Sequence, residues 1–257
     1  MTLMNVMTAV EYRGAYFVFM LDAVLVPIIS LLVWLTVSEA GVQLPYSRSQ
    51  FVTYYVLLSI VSMLTGTWLG EYLAQDIRLG GLSRWLVPPG SGIAYYATNN
   101  AGEKVMKLPL LLPLVALTAL LFRGDLRLPA DPISWLLFIT SLPLAAVVSF
   151  LIQFDLGSLA FWIQDANGLL RATGLIGTFL AGKLIPLALF PHSFAGFLDA
   201  QPFRYTASFP LEILTGGLAR SALAEGFAWQ IGYCAGLWLC YRLHWHYGLR
   251  SYSAVGA

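Results

Sequence analysis

The chain alternates long apolar stretches with shorter polar connections, a pattern typical of helices that cross a bilayer. A helix needs about 20 apolar residues to cross a hydrocarbon core of roughly 30 Å. The stretches that approach this length are 17–37, 52–73, 107–122, 133–152, 169–190 and 222–241. We therefore predict an all-α membrane protein, a single domain over residues 1–257 with about six transmembrane helices.

Proline and glycine modify these stretches. Pro109 and Pro113 predict a short or kinked third helix, because proline removes a backbone hydrogen bond. The end of the fourth helix stays open, since residues 153–165 alternate polar and apolar side chains. Two glycine pairs at a spacing that lets helices approach closely are Gly66 with Gly70 and Gly232 with Gly236.

Two connections are unusual. The longest charged connection follows the second stretch and contains a glycine pair and a double proline, with residues 74–92 as its core. Residues 191–220 are too apolar for an ordinary loop and are interrupted by Pro202 and Pro210. We expect this second segment to be re-entrant, dipping partway into the membrane as broken helices.

Composition and charge narrow the function. Hydrophobic residues make up 58% of the chain and charged residues 11%, against about 25% charged in a soluble domain. The net charge of +1 gives no basic face for nucleic acid, so the expected partners are lipid and protein. With the N-terminus inside, eight Lys and Arg residues lie in inner loops and five in outer loops, which favours cytoplasmic N- and C-termini. The inner set is Arg13, Arg78, Arg84, Lys104, Lys107, Arg171, Arg242 and Arg250, and the outer set is Arg48, Arg123, Arg127, Arg204 and Arg220.

A docking motif lies within residues 74–92. Leu82, Trp85 and Leu86 are spaced i, i+3 and i+4, a helical face that fits a groove on another protein. An interfacial turn anchored by Trp85 explains the same pattern, and the residues alone leave both interpretations open.

Enzymatic and metal chemistry have little support. The sequence GTFLAGK begins like a phosphate-binding loop but continues with Leu184, where Ser or Thr should hold magnesium. No nucleophile elbow or zinc motif occurs, and the histidines have no ligand at metal-binding spacing, so we expect no catalytic residues and no metal site. Asp22 and Lys183 are charges within apolar stretches, where such residues face a cavity, pair, or reach the interface.

Five stretches in order along the chain resemble the transmembrane permease subunits of bacterial type-two ABC exporters, in the branch near 260 residues. The resemblance covers nearly the whole chain. The matching stretches are Glu11-Tyr12-Arg13, IRLGGLSRWLVPP at 77–89, Ala160-Phe161-Trp162, GKLIPL at 182–187 with Phe190-Pro191, and Pro202-Phe203 with FPLEILTG at 209–216.

The resemblance implies a fold and a mechanism. It implies a six-span permease with an N-terminal amphipathic elbow helix (1–16), a cytoplasmic coupling helix (74–92) and re-entrant helices before the last span (191–220). Two permeases, identical or homologous, pair with two copies of an ATPase subunit, which carries the ATP and Mg, so this chain needs no cofactor. The implied location is the bacterial inner membrane, and the implied cargo is an amphiphilic or drug-like small molecule. The residues expected to couple to the ATPase are Ile77, Arg78, Gly80, Gly81, Leu82, Trp85, Leu86 and Pro88.

Two alternatives remain. An ion-gradient-driven secondary transporter would use Asp22 or Lys183, although the two halves of the chain show no convincing internal repeat. A membrane-embedded enzyme or scaffold subunit would use the extracytoplasmic cluster of His192, Asp199 and Arg204.

Overall fold

A computed structural model describes residues 13–83, 92–216 and 218–252, with side chains from residue 23 onward. Within these ranges all regular secondary structure is helical. The α-helices are α1 (Arg13–Glu39), α2 (Arg48–Thr65), α3 (Leu69–Arg78), α4 (Gly92–Leu121), α5 (Pro132–Ser158), α6 (Ala166–Leu180), α7 (Ala195–Ala200), α8 (Ser208–Thr215) and α9 (Arg220–Ser251). Short 3-10 helices occupy Leu159–Phe161, Leu187–Leu189, His192–Phe194 and Pro202–Thr206.

Several segments are long and apolar enough to cross a membrane. Arg48–Arg78, Gly92–Leu121 and Pro132–Phe161 meet both conditions, and Ala23–Glu39 is a shorter apolar helix. The final helix, α9, has 32 residues but is less apolar. These lengths and compositions fit a multi-pass membrane protein.

The second predicted span is interrupted. The sequence predicted one helix over 52–73, but α2 ends at Thr65 and α3 begins at Leu69. Gly66 caps α2 in an extended conformation and donates its backbone N–H to the Ser62 carbonyl 2.8 Å away. The helix is therefore broken at residues 66–68, and α3 packs against α5.

The third predicted span was too short. The sequence predicted residues 107–122, whereas α4 has 30 residues and begins at Gly92. Its polar first half is helical, with Gly92, Ile93 and Tyr96 buried, and both Pro109 and Pro113 lie inside the helix. Proline is tolerated within membrane helices because neighbouring groups compensate for the lost hydrogen bond.

The fourth and fifth spans also differ from the prediction. The open boundary of the fourth is resolved, since α5 continues to Ser158 and is followed by Leu159–Phe161. The fifth span, predicted over 169–190, was wrong in its second half, because α6 ends at Leu180 after 15 residues, about 22 Å of helix. A turn at Gly182, with φ of 75°, follows, and short helices continue from there to Thr215.

The packed interior has two main parts. The larger surrounds α2, of which Phe51, Tyr54 and Tyr55 are almost fully buried. The smaller lies at the opposite end of the helices, where α3, α4, α5 and α9 bring Leu73, Phe154 and other apolar side chains together. The candidate functional residues fall into two groups, one beside each part.

Candidate functional site

The first group lies where α3 ends. Gly80 adopts a left-handed conformation with φ of 74°, which glycine takes without a steric penalty. Beyond it, the Leu82 N–H donates to the Asp76 carbonyl at 3.1 Å, and the Ser83 hydroxyl donates to the Gly80 carbonyl at 3.0 Å. The chain thus folds back onto the helix that precedes it.

This turn buries part of the predicted docking face. Leu82 has no exposed surface and Ile77 is 6% exposed, and both pack in the smaller core. The Gly80 turn directs Leu82 inward, so in this structure its side chain does not project from the predicted docking face. Arg78 and Leu79 are exposed instead, while Gly81 is buried. Trp85, Leu86 and Pro88 lie outside the described residues, as does most of the predicted elbow helix.

The turn is tied to neighbouring elements. The Tyr96 hydroxyl on α4 donates to Oδ2 of Asp76 at 2.6 Å. The Ser83 hydroxyl lies 3.1 Å from the Tyr252 hydroxyl, just beyond α9. A displacement of the turn would therefore be transmitted to α4 and to the end of α9.

A buried carboxylate that the sequence analysis did not single out lies between α5 and α9. Oδ1 of Asp155 is 3.3 Å from Nδ1 of His244. Within the described part of the chain, neither carboxylate oxygen of Asp155 has a hydrogen-bond partner. Its sequence signal was a single carboxylate at the end of a long apolar stretch.

The second group lies beside the larger core and begins with the turn at residues 182–184. The Tyr54 hydroxyl donates to the Gly182 carbonyl at 2.9 Å. The Tyr55 hydroxyl and the Trp34 indole N–H donate to the Leu184 carbonyl at 2.7 and 3.2 Å. Helices α1 and α2 therefore hold this turn in place.

Of the two predicted intramembrane charges, the structure describes the side chain of Lys183 but not that of Asp22. Lys183 lies in this turn, is half-buried, and has no ion-pair partner among the described residues. Asp22 belongs to α1, but its side chain lies outside the described part. Lys183 is thus a helix-end charge rather than a residue in the middle of a span.

An ionic cluster joins the short helices that follow. The Arg204 guanidinium pairs with Asp199 through Nη1 and with Glu212 through Nη2, the latter at 2.7 Å. The Ser208 hydroxyl donates to the other oxygen of Glu212 at 2.7 Å. The Arg204 side chain is 13% exposed and that of Glu212 is 9% exposed. The cluster links α7, Pro202–Thr206 and α8, and its Arg204–Glu212 pair is nearly buried.

The cluster also affects a neighbouring phenol. Burial raises the pKa of Tyr46, and the Glu212 carboxylate adds to that effect. Tyr46 is therefore a neutral phenol at physiological pH.

A cleft of about 320 Å³ opens beside this cluster, and we call it the Arg204 cleft. It is lined by Pro45, Tyr46, Leu187, Ala188, Phe190, His192, Ala195, Leu198, Asp199, Arg204, Glu212 and Leu218. The structure thus brings His192, Asp199 and Arg204 to one cavity. The sequence analysis missed Glu212, whose signal was one acidic residue within an apolar helix.

Across the described ranges, no group of three or more His, Cys, Asp or Glu side chains is arranged to hold a metal ion. Arg204 pairs with both carboxylates of its cleft.

Comparison with known proteins shows which family the chain matches. The family model described as "ABC-2 family transporter protein" matches residues 24–256. No curated protein sequence and no solved structure matches the chain.

Proposed function

The chain belongs to the ABC-2 transporter family as a membrane component, and from this we propose that it is the transmembrane subunit of an ATP-driven exporter. Permeases of this family lack ATPase activity and pair with ATPase subunits. In our proposal the chain forms half of a translocation pathway, with a second permease, identical or homologous, forming the other half. Two copies of a separate ATPase bind ATP and Mg and drive the cycle.

The observation that carries this proposal, beside the family match, is the turn after α3. It exposes Arg78 and Leu79 at the end of a helix whose other face packs on α5. A partner that engages these two side chains would therefore push on the interior of the bundle through α3. We propose residues 74–92 as the ATPase-coupling segment, with Ile77, Gly80, Gly81 and Leu82 shaping the turn from within.

The topology we propose has about six spans and cytoplasmic N- and C-termini. Contacts between loops support it. Arg48, after the α1–α2 connection, contacts Asp125, in the α4–α5 connection, at 2.9 Å. The Ser83–Tyr252 contact joins the coupling turn to the C-terminal end of α9. Each contact joins segments that this topology assigns to one side of the membrane. The Lys and Arg distribution favours the cytoplasm as the side of the second contact, and we propose the bacterial inner membrane as the location.

The remaining parts follow from that topology. The predicted elbow helix (1–16) would lie at the cytoplasmic surface, and the segment 191–220 would be re-entrant from the outer side. The broken helices of this segment carry buried charges paired with one another, as polar groups at membrane depth require. Asp22 and Lys183 are proposed as residues of the substrate pathway, and the cargo as an amphiphilic small molecule.

A secondary transporter is the second candidate, and Lys183 is the observation that favours it. A lysine without an ion pair in the described structure, at the end of an apolar helix, is a residue that an ion-coupled cycle would use. Such a transporter would work without ATP and would lose activity in Lys183→Met. An ATP-driven permease would need ATP both with Lys183 and in the Lys183→Met variant.

Purification from mild detergent, followed by mass spectrometry, tests the proposal. We expect an ATPase with a complete phosphate-binding loop to copurify in near-stoichiometric amount. The Arg78→Glu/Leu79→Asp variant should lose that subunit, whereas the control Arg123→Glu, on the side assigned to the exterior, should retain it. A chain that purifies alone and transports cargo without ATP would overturn the proposal in favour of the secondary transporter.

A further inference from the structure

The Arg204 cleft has the lining of a small-molecule site. Its volume of about 320 Å³ lies at the lower end of the range for such sites. Leu187, Phe190, Leu198 and Leu218 give it apolar walls, and its polar groups converge on Arg204. An apolar pocket with a few convergent polar groups fits an amphiphile better than a sugar or a peptide.

The charged side chains that line the cleft determine which sign of ligand charge it favours. Two carboxylates, Asp199 and Glu212, face one guanidinium, so these three side chains together carry a formal charge of −1. An excess charge matters more beside apolar walls than in open water, because the effective dielectric constant is lower there. The cleft should therefore attract cations and disfavour anions.

The accessibility of these groups points in the same direction. The Asp199 side chain is 57% exposed, so an incoming ligand meets it first. Arg204 offers little to an anion, because both of its terminal nitrogens already pair with carboxylates. Among the described residues its Nε finds no hydrogen-bond partner, but this atom is buried away from solvent. An organic cation suits this cleft better than a metal ion, since the described residues form no metal-binding group.

We propose that the Arg204 cleft binds amphiphilic amines, with the ammonium group beside Asp199 and the apolar body against Leu187, Phe190 and Leu198. This inference rests on the proposed function and names the substrate class of the exporter. In the proposed topology the cleft faces the exterior, where cargo leaves.

Three probes of equal length test the sign of the charge: 4-phenylbutylamine, 4-phenylbutanol and 4-phenylbutanoate. Binding to the full chain in lipid nanodiscs is measured by ligand-observed NMR, with empty nanodiscs subtracted. The amine should bind about three- to tenfold more tightly than the alcohol, and the carboxylate most weakly. Asp199→Asn should remove the preference for the amine over the alcohol. Asp125→Asn is the matched control, since Asp125 also pairs with an arginine but lies outside the cleft, and it should retain the preference.

The outcomes separate this inference from the proposed function. Equal binding of all three probes, or tightest binding of the carboxylate, would overturn the amine site even if an ATPase copurifies. An amine preference that persists unchanged in Asp199→Asn would also overturn it. An amine preference that Asp199→Asn abolishes upholds the cleft, whether or not an ATPase is recruited.

Discussion

Gly70 on α3 and Gly157 on α5 meet backbone to backbone. A Cβ atom placed on Gly157 would lie 2.7 Å from the carbonyl oxygen and 3.0 Å from Cα of Gly70. No side chain fits between the two helices at this crossing. Because α3 leads directly into the turn with Arg78 and Leu79, this contact joins the proposed coupling segment to α5.

Replacing Gly157 should therefore destabilise the protein. In Gly157→Ala the new methyl group meets backbone atoms, which cannot rotate away, and we expect a loss of about 1–2 kcal/mol in the free energy of unfolding after the gain in helix propensity. Unfolding in a mixed detergent titration measures it. Gly232→Ala, in α9 with no atom within 4 Å of the added Cβ, is the control and should be neutral or slightly stabilising.

Two leucines in the turn after α3 should respond differently to the same change. Leu82 is fully buried, so Leu82→Asp places a charge in the smaller core and should lower the yield of folded protein. Leu79 is 70% exposed, so Leu79→Asp should leave the yield unchanged but weaken the coupling of ATP hydrolysis to transport. Purification yield and substrate-stimulated ATPase activity distinguish the two. Coupling that survives Leu79→Asp would count against this docking surface.

The buried ionic cluster should be stabilising only as a complete set. Removing the cation in Arg204→Met leaves Glu212 buried without its partner, and we expect a loss of about 3 kcal/mol. The double variant Arg204→Met/Glu212→Met should lose less than the sum of the two single variants, because neither charge is then left alone.

Arg48 supplies the control for this cluster. It also pairs with two carboxylates, those of Glu39 and Asp125, but its side chain is 46% exposed. Arg48→Met should therefore cost no more than about 1 kcal/mol. If the two arginine substitutions lowered the thermal unfolding temperature equally, burial would not determine how much these ion pairs contribute to stability.

The stability of the turn at residues 182–184 should depend on the hydrogen bond from Tyr54. Tyr54→Phe leaves the Gly182 carbonyl without the hydroxyl that now donates to it, and we expect a loss of about 1–2 kcal/mol in unfolding free energy. Tyr72→Phe, at a side chain that is 64% exposed, is the control and should be neutral. An undiminished melting temperature in Tyr54→Phe would show that the turn is held by other contacts.

Hydropathy located most helices but not their ends. The apolar stretches 17–37 and 133–152 lie within α1 and α5, because burial in lipid needs a run of apolar side chains that a sequence displays directly. The polar first half of α4 and the early end of α6 were missed. The start of α4 depends on the segments that pack against it, and the end of α6 on the turn at Gly182. Hydropathy averaged over a window of residues detects neither.

The candidate sites divide in the same way. The sequence by itself determined the membrane class, the resemblance to a permease family and the position of the glycine-containing segment after the second span, since composition and local motifs carry these. Only the tertiary structure decided that Leu82 points inward and Leu79 outward, that Gly70 meets Gly157, and that Glu212 joins Asp199 and Arg204 at one cleft. The physical reason is that these relationships depend on backbone direction at single glycines and on packing between distant segments. The periodicity of apolar and polar residues along the chain specifies neither.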